Sequence, residues 1–121
     1  MKPITIYNSK LPRLLSLFID ITGITLYPFV IYRKSQEEVA EDTHNHELIH
    51  IHQQRELWVI GFYVLYVYYW LKNKVKGETN LTAYANIPFE VEAYRNQHNT
   101  DYLSSRPPQA WKRYIGKKLI S

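Results

Sequence analysis

The 121-residue sequence contains no cysteine. Disulfide bonds and thiolate metal sites are therefore excluded, and any metal ion must be bound by His, Asp or Glu. The sequence also lacks a recognisable secretory signal, because Asp20 interrupts the apolar residues 14–19 and no small-residue cleavage site follows. We therefore expect a cytoplasmic protein or one that is peripherally associated with a membrane.

A hydrophobic run long enough to cross a bilayer is missing as well. The longest uncharged run, residues 57–71, would span about 22 Å as a helix, short of the roughly 30 Å of a bilayer core. It is apolar around its whole circumference, so it must be covered on most sides. Core burial is the default expectation. The alternative is contact with a membrane surface or a partner, which the basic tail and the Trp and Tyr residues near the ends of the run support.

Length and charge limit the class of protein further. A chain of 121 residues corresponds to a single domain. The formal net charge is +4, and much of the excess lies in the tail, residues 106–121. No nucleic-acid-binding pattern accompanies this charge, so we expect no nucleic-acid partner. The tail is expected either to be solvated or to contact anionic lipid.

The residue patterns predict a mostly helical α+β domain whose small β element lies in the N-terminal part, residues 1–42. Strands are expected at residues 4–7 and 24–32, and a short helix at residues 14–18. Pro28 favours an edge strand or a bend over a central strand. An edge strand in this segment would be free to pair with an extended substrate.

Helical patterns occupy the rest of the chain. Residues 43–73 are predicted to form one uninterrupted helix with an aromatic continuation, capped by Asp42 or Thr43. A further helix is expected within residues 86–105, after Pro88. The tail is predicted to include a short basic amphipathic helix at residues 111–119.

The chemistry is concentrated at the start of the long predicted helix, where the sequence reads His46-Glu47-Leu48-Ile49-His50. Two histidines four residues apart lie on one face of a helix, so both imidazoles can bind one ion. Glu47 lies beside them, where a carboxylate can take a proton from metal-bound water. Gln53 falls on the same face one turn later, where a polar group can steady a ligand histidine.

A catalytic zinc site needs a third protein ligand and one open position. The best candidates are Glu90 and Glu92, which follow some forty residues later. On a helix they point about 160° apart, so only one can face the ion, and geometry alone leaves the choice open.

A resemblance to the gluzincin metallopeptidases is carried by two segments, His46-Glu47-x-x-His50 and Glu90-Val91-Glu92-Ala93. In that family a second helix supplies Glu-x-x-Ala-Asp or a relative of it. Aligning Ala93 with the alanine of that pattern implies that Glu90 is the third ligand. Tyr94 then stands where the family has Asp, which leaves Gln53 or Glu56 to support the site instead.

A second resemblance covers most of the chain. The segments from Asn45 to Glu56 and from Asn86 to Asn96, with the aromatic run between them, are similar to a group of short bacterial HExxH proteins. This resemblance implies a minimal zincin-like domain with one Zn²⁺, but it implies no substrate.

These patterns predict a zinc metallopeptidase that hydrolyses a peptide or protein substrate. His46, His50 and Glu90 would bind the ion, and Glu47 would be the general base. An oxyanion-stabilising group is also required, and Tyr84, Tyr94 and His98 are candidates. The rival hypothesis is a non-catalytic, metal-stabilised module that associates with a membrane or a partner.

Overall fold

The N-terminal part of the protein forms a small three-stranded sheet. The computed structural model describes residues 3–10 and 23–120, so the helix expected at residues 14–18 lies outside the described residues. The strands are β1 (Ile4–Ile6), β2 (Gly23–Leu26) and β3 (Phe29–Tyr32). β1 pairs with β3 in parallel, and β2 pairs with β3 antiparallel. With the helices that follow, the fold is mostly helical α+β, as the sequence predicted.

The segment expected to form a strand at residues 24–32 is divided into β2 and β3. The strand order is β1-β3-β2, so β2 is an outer strand of the described sheet, whereas β3 pairs on both sides and cannot add a substrate strand. Pro28 lies in the turn between β2 and β3, after a cis peptide bond, where its missing N–H removes no ladder hydrogen bond. The alternative of a bend at Pro28 is confirmed. The edge position expected for the segment holds for β2 and is wrong for β3.

The motif helix is shorter than expected. Helix α1 (Glu41–Glu56) begins after Ala40, so neither Asp42 nor Thr43 is the N-cap. The chain then turns through Leu57, Trp58 and Val59, and helix α2 (Ile60–Val75) follows. Trp58 and Val59 both have positive φ, +58° and +60°, which breaks the helix that we predicted to be continuous.

The break has a packing reason. A straight helix over both segments would be roughly 50 Å long and would carry the aromatic residues far from any partner. Folding back instead brings Phe62 of α2 within 4.6 Å of Phe89, measured between ring centroids. These two side chains, with Ile87 and Trp111, form one of the buried apolar clusters. A second cluster, Val30, Tyr32 and Ile51, joins the sheet to α1.

Residues 86–105, where one further helix was expected, are divided between two helices. Helix α3 (Asn80–Ala85) precedes α4 (Pro88–Asn96), and a separate short helix α5 (Tyr102–Ser105) follows α4. The Asn45 side chain donates to the carbonyl oxygens of Gln97 and Asn99, at 2.9 and 3.0 Å. Those carbonyls are satisfied from α1, so the chain leaves the helical path there.

The tail does not form the expected amphipathic helix. A 3-10 helix covers Ala110–Tyr114, and Gly116 then adopts a positive φ of +81°. Trp111 is buried against Phe89, with ring centroids 4.8 Å apart. Asn86 accepts hydrogen bonds from the backbone N–H groups of the last described residues, 119 and 120. The final segment is thus held against the body of the protein by specific contacts.

Helix α2 is only partly covered, which corrects the expectation that the aromatic run is core on most sides. Phe62 is buried, whereas Ile60, Val64 and Leu71 are each more than half exposed. Among the described residues no helix combines the length and apolar character needed to traverse a bilayer.

Candidate metal centre

Two histidines of α1 meet on the helix face that is turned towards α4. His46 and His50 are one helical turn apart, and both are buried. Their Nε2 atoms lie 3.2 Å from each other, and their ring centroids are 4.8 Å apart. This is the arrangement expected for an i, i+4 pair that shares one ion.

Glu90 completes the cluster from the first turn of α4. Its Oε1 atom lies 3.0 Å from His46 Nε2 and 3.2 Å from His50 Nε2. Pro88 opens the helix, which places Glu90 on the side that faces α1. Among the described residues, these three side chains form a buried group whose potential ligand atoms all lie within 4.8 Å of one another.

Hydrogen bonds at the far side of each imidazole fix its tautomer. His46 Nδ1 lies 2.8 Å from Gln97 Oε1, and His50 Nδ1 lies 2.7 Å from Gln53 Oε1. Gln53 Nε2 donates to Phe89 O and to a Glu92 oxygen, so its amide oxygen must face His50. Because an amide oxygen can only accept, each Nδ1 carries a proton, and Nε2 is the ring nitrogen that faces the centre and can bind an ion.

Two imidazole Nε2 atoms and a carboxylate converge with no Lys or Arg side chain among them. With both Nε2 atoms unprotonated, this ligand set suits Zn²⁺. Without an ion, a positive charge can be supplied by a proton. Burial lowers the pKa of His50, but the Glu90 carboxylate outweighs it, and the pKa is raised to about 9. Burial raises the pKa of Glu90, but the two histidines outweigh this and hold it well below its usual range.

Tyrosines surround the carboxylate. The Tyr66 hydroxyl donates to Glu90 Oε2 at 2.6 Å, and the Tyr84 hydroxyl lies 3.3 Å from Oε1. Tyr94 packs edge-on against His46, with ring centroids 4.4 Å apart, and its hydroxyl lies 3.0 Å from that of Tyr84. Burial, followed by the charge of Glu90, raises the pKa of Tyr66 and of Tyr84 well above the usual value, so both stay protonated donors.

Glu47 lies at a cleft that opens beside the cluster. The cleft has a volume of about 180 Å³, and its walls come from β2, α1, α2, α3 and α4. Its lining includes Glu47, His50 and Glu90 together with Thr25 and Tyr63. The Thr25 hydroxyl bonds both the backbone oxygen of Glu47, at 3.2 Å, and its Oε2 atom, at 3.3 Å. This contact ties the orientation of the carboxylate to the sheet.

The remaining predicted site residues lie elsewhere. Glu92 and Glu56 face away from the cluster and bind Arg106. His98 is exposed and forms an ion pair with Asp42 at 3.2 Å, so it does not line the cleft. Gln53 and Glu56 were the two residues expected to support the site in place of the Asp that the gluzincin pattern has at position 94. Gln53 contacts a histidine of the cluster, and Glu56 does not.

Sequence reasoning missed four contributors: Thr25, Tyr66, Gln97 and Arg106. Tyr66 had a weak signal, because it lies one turn after Phe62 on the inner face of the aromatic helix. The other three come from segments with no motif, and only the tertiary fold brings them near the site.

Comparison with known proteins adds no relative: no family model, curated protein or solved structure matches this chain. The chemistry of the site must therefore be argued from its own geometry.

Proposed function

We propose that this protein is a zinc-dependent peptidase, with His46, His50 and Glu90 as the metal ligands. The observation that carries the proposal is the convergence of two imidazole Nε2 atoms and one carboxylate in a buried site whose adjoining cleft is lined by no Lys or Arg among the described residues. Two nitrogens and one carboxylate oxygen form a ligand set typical of catalytic zinc, in which a fourth position stays open.

Bound zinc would lower the pKa of a coordinated water and polarise a substrate carbonyl. Glu47 is assigned as the general base, because it lines the same cleft as the two ligands His50 and Glu90. Thr25 orients this carboxylate, which takes a proton from the attacking water and passes it to the leaving amine.

The tyrosines serve two roles in this proposal. Tyr66 holds Glu90 through its second carboxylate oxygen, which fixes the ligand's rotamer. Tyr84 lies in the cleft wall beside Glu90, and its protonated hydroxyl is the best placed donor for a developing oxyanion. His98 is too far out on the surface for this role, since it lines no part of the cleft.

The shape of the cleft restricts the substrate. One wall is β2 and the other is the inner face of α2, and we propose that an extended substrate segment binds between them. Pairing along the edge of β2 that is opposite β3 is limited, because the Thr25 carbonyl already accepts from Gln54 and Tyr63. Recognition would then depend on side-chain contacts with the aromatic wall, in particular Phe62 and Tyr63.

The test separates metal binding from catalysis. Elemental analysis of the purified protein should find about one zinc per chain, and His46→Ala should abolish it. Glu47→Gln should keep the zinc and lose peptide cleavage in a screen against a peptide library, because an amide cannot accept the proton. Glu37→Gln, at an exposed position ten residues before Glu47, is the matched control and should remain active.

Two results would change the conclusion. Full activity in Glu47→Gln would mean that this carboxylate is not the base. Stoichiometric zinc without cleavage of any substrate, in the wild type as in the variant, would favour the rival hypothesis of a metal-stabilised module.

A further inference from the structure

The outer face of α2 carries a continuous apolar stripe. Six of its side chains are more than half exposed: Ile60, Val64, Val67, Tyr68, Leu71 and Val75. At 100° per residue these positions fall within an arc of about 100°, and along the axis they extend for roughly 22 Å. An exposed apolar surface of this length is uncommon on a monomeric protein and marks a contact surface.

The stripe cannot be covered by a rotation of the helix. The opposite face of α2 is already packed against the core through Phe62, Leu65, Tyr66 and Tyr69. Turning the stripe inwards would expose these side chains and remove Tyr66 from Glu90. Both faces of α2 are therefore apolar, and only one of them has a partner within the described residues.

The charged side chains of α2 that flank the stripe are basic. No Asp or Glu occurs from residue 57 to residue 77. Lys72 and Lys74 project on the two sides of the stripe in its last turn. Lys72 also lines a surface cleft with Lys117 and Lys118, which brings the basic tail to the same end of the helix.

An exposed tryptophan lies at the N-terminal end of the stripe. Trp58 is 88% exposed, and it lies in the turn that enters α2. The positive φ values of Trp58 and Val59 are unfavourable for residues with a Cβ atom, and least favourable for a β-branched valine. The backbone thus maintains a strained turn that leaves an indole in solvent instead of burying it in the core.

We propose that the outer face of α2 binds the surface of an anionic lipid membrane, with the helix axis parallel to the bilayer plane. Apolar side chains would enter the acyl boundary, and lysines on both sides would reach the phosphate headgroups. Trp58 suits the interface because its ring is amphipathic. Charge of one sign on both sides of an apolar stripe matches an anionic lipid surface better than it matches an average protein surface.

The candidate metal centre lies on the opposite side of α2 from the apolar stripe. The inner face of α2 supplies Phe62, Tyr63 and Tyr66 to the cleft beside Glu90. A helix with its side chains is about 10 Å across, so docking would hold the cleft roughly that distance from the lipid. The cleft would then bind its substrate close to the membrane surface.

The full-length protein is tested by flotation with vesicles of phosphatidylcholine alone and of phosphatidylcholine with 30 mol% phosphatidylglycerol. We expect binding to the anionic vesicles and weak binding to the neutral ones, with loss at high salt. Val64→Ser/Val67→Ser/Leu71→Ser should reduce the partition coefficient by about tenfold or more. Lys72→Gln/Lys74→Gln should reduce it by about fivefold for each lysine removed.

The matched control places the same kind of change on the sheet. Ile4 and Phe29 are exposed apolar residues that face each other across β1 and β3, and Ile4→Ser/Phe29→Ser should leave vesicle binding unchanged. Far-UV circular dichroism checks that each variant is folded. Failure of the wild type to float with anionic vesicles would overturn the proposal, and so would equal loss in the control. Self-association of the wild type without vesicle binding, abolished by the triple variant, would show that the stripe is a protein interface instead.

Discussion

Removing the Arg106 side chain should destabilise the protein more than removing any exposed basic side chain of the tail. The Arg106 side chain is only 3% exposed, and its Nε lies 2.6 Å from Glu92 Oε2. A second nitrogen, Nη2, lies 3.1 Å from Glu92 Oε1 and 3.0 Å from Glu56 Oε1. Glu92 itself is fully buried. In Arg106→Met the apolar stem is roughly retained, but a buried carboxylate loses its cation.

The expected magnitude follows from the burial of both partners. Breaking a buried ion pair by removing one partner destabilises by about 3–5 kcal/mol. For a domain of this size, 1 kcal/mol corresponds to roughly 3–5 °C in Tm, so we expect a decrease of about 10–20 °C. Tyr102 still donates to Glu92 Oε2, which favours the lower end of this range.

Urea denaturation and thermal melting, followed by circular dichroism, measure this effect. Arg113→Met is the control, because Arg113 is exposed in the same tail, and it should change stability by less than about 0.5 kcal/mol. Adding Glu92→Gln to Arg106→Met removes the unpaired charge and should restore a large part of the loss. A change within 1 kcal/mol of the wild type in Arg106→Met would refute the claim that this pair is electrostatically buried.

Two further predictions concern the metal. Glu90→Gln should weaken zinc binding by more than the 10–100-fold typical of residues that only support a ligand, whereas Glu92→Gln should retain zinc, and competitive chelator titration compares them. The reverse ranking would exclude Glu90 as the third ligand. Because the pKa of zinc-free His50 is about 9, zinc must displace its proton at neutral pH. Apparent affinity should rise about tenfold per pH unit from pH 6 to 8, with about one proton released per zinc in calorimetry. A pH-independent affinity would contradict this assignment.

The sequence by itself determined the parts of the site that depend on local geometry. The i, i+4 spacing of His46 and His50 holds for any helix, so their common face needed no tertiary information. The same rule separated Glu90 from Glu92. It left the choice between them to a resemblance, and in the structure Glu90 faces the histidines.

Helix lengths were decided by tertiary structure. The run of helix-forming residues through Leu57 contains no glycine or proline stop signal before Gly61, so the sequence predicted one helix. The chain breaks there because the aromatic face must fold back onto Phe89 to be buried, and this gain outweighs two residues with positive φ. In the same way, α4 ends where Asn45 of α1 donates a hydrogen bond to the Gln97 carbonyl. The sequence near Asn96 contains no signal that predicts this end.

The groups that tune the site were also beyond local reasoning. Gln97, Thr25 and Arg106 act on the cluster or its supports across 51, 22 and 14 residues of chain, respectively. Their residue types are common in solvated segments, so only their burial against the motif helix distinguishes them. A short-range pattern can specify the common face of His46 and His50 and the place of Glu47 beside them, because a helix fixes their relative directions. The approach of Glu90, the tautomer of each histidine and the exposed face of α2 depend on how separate segments pack, which is a property of the whole fold.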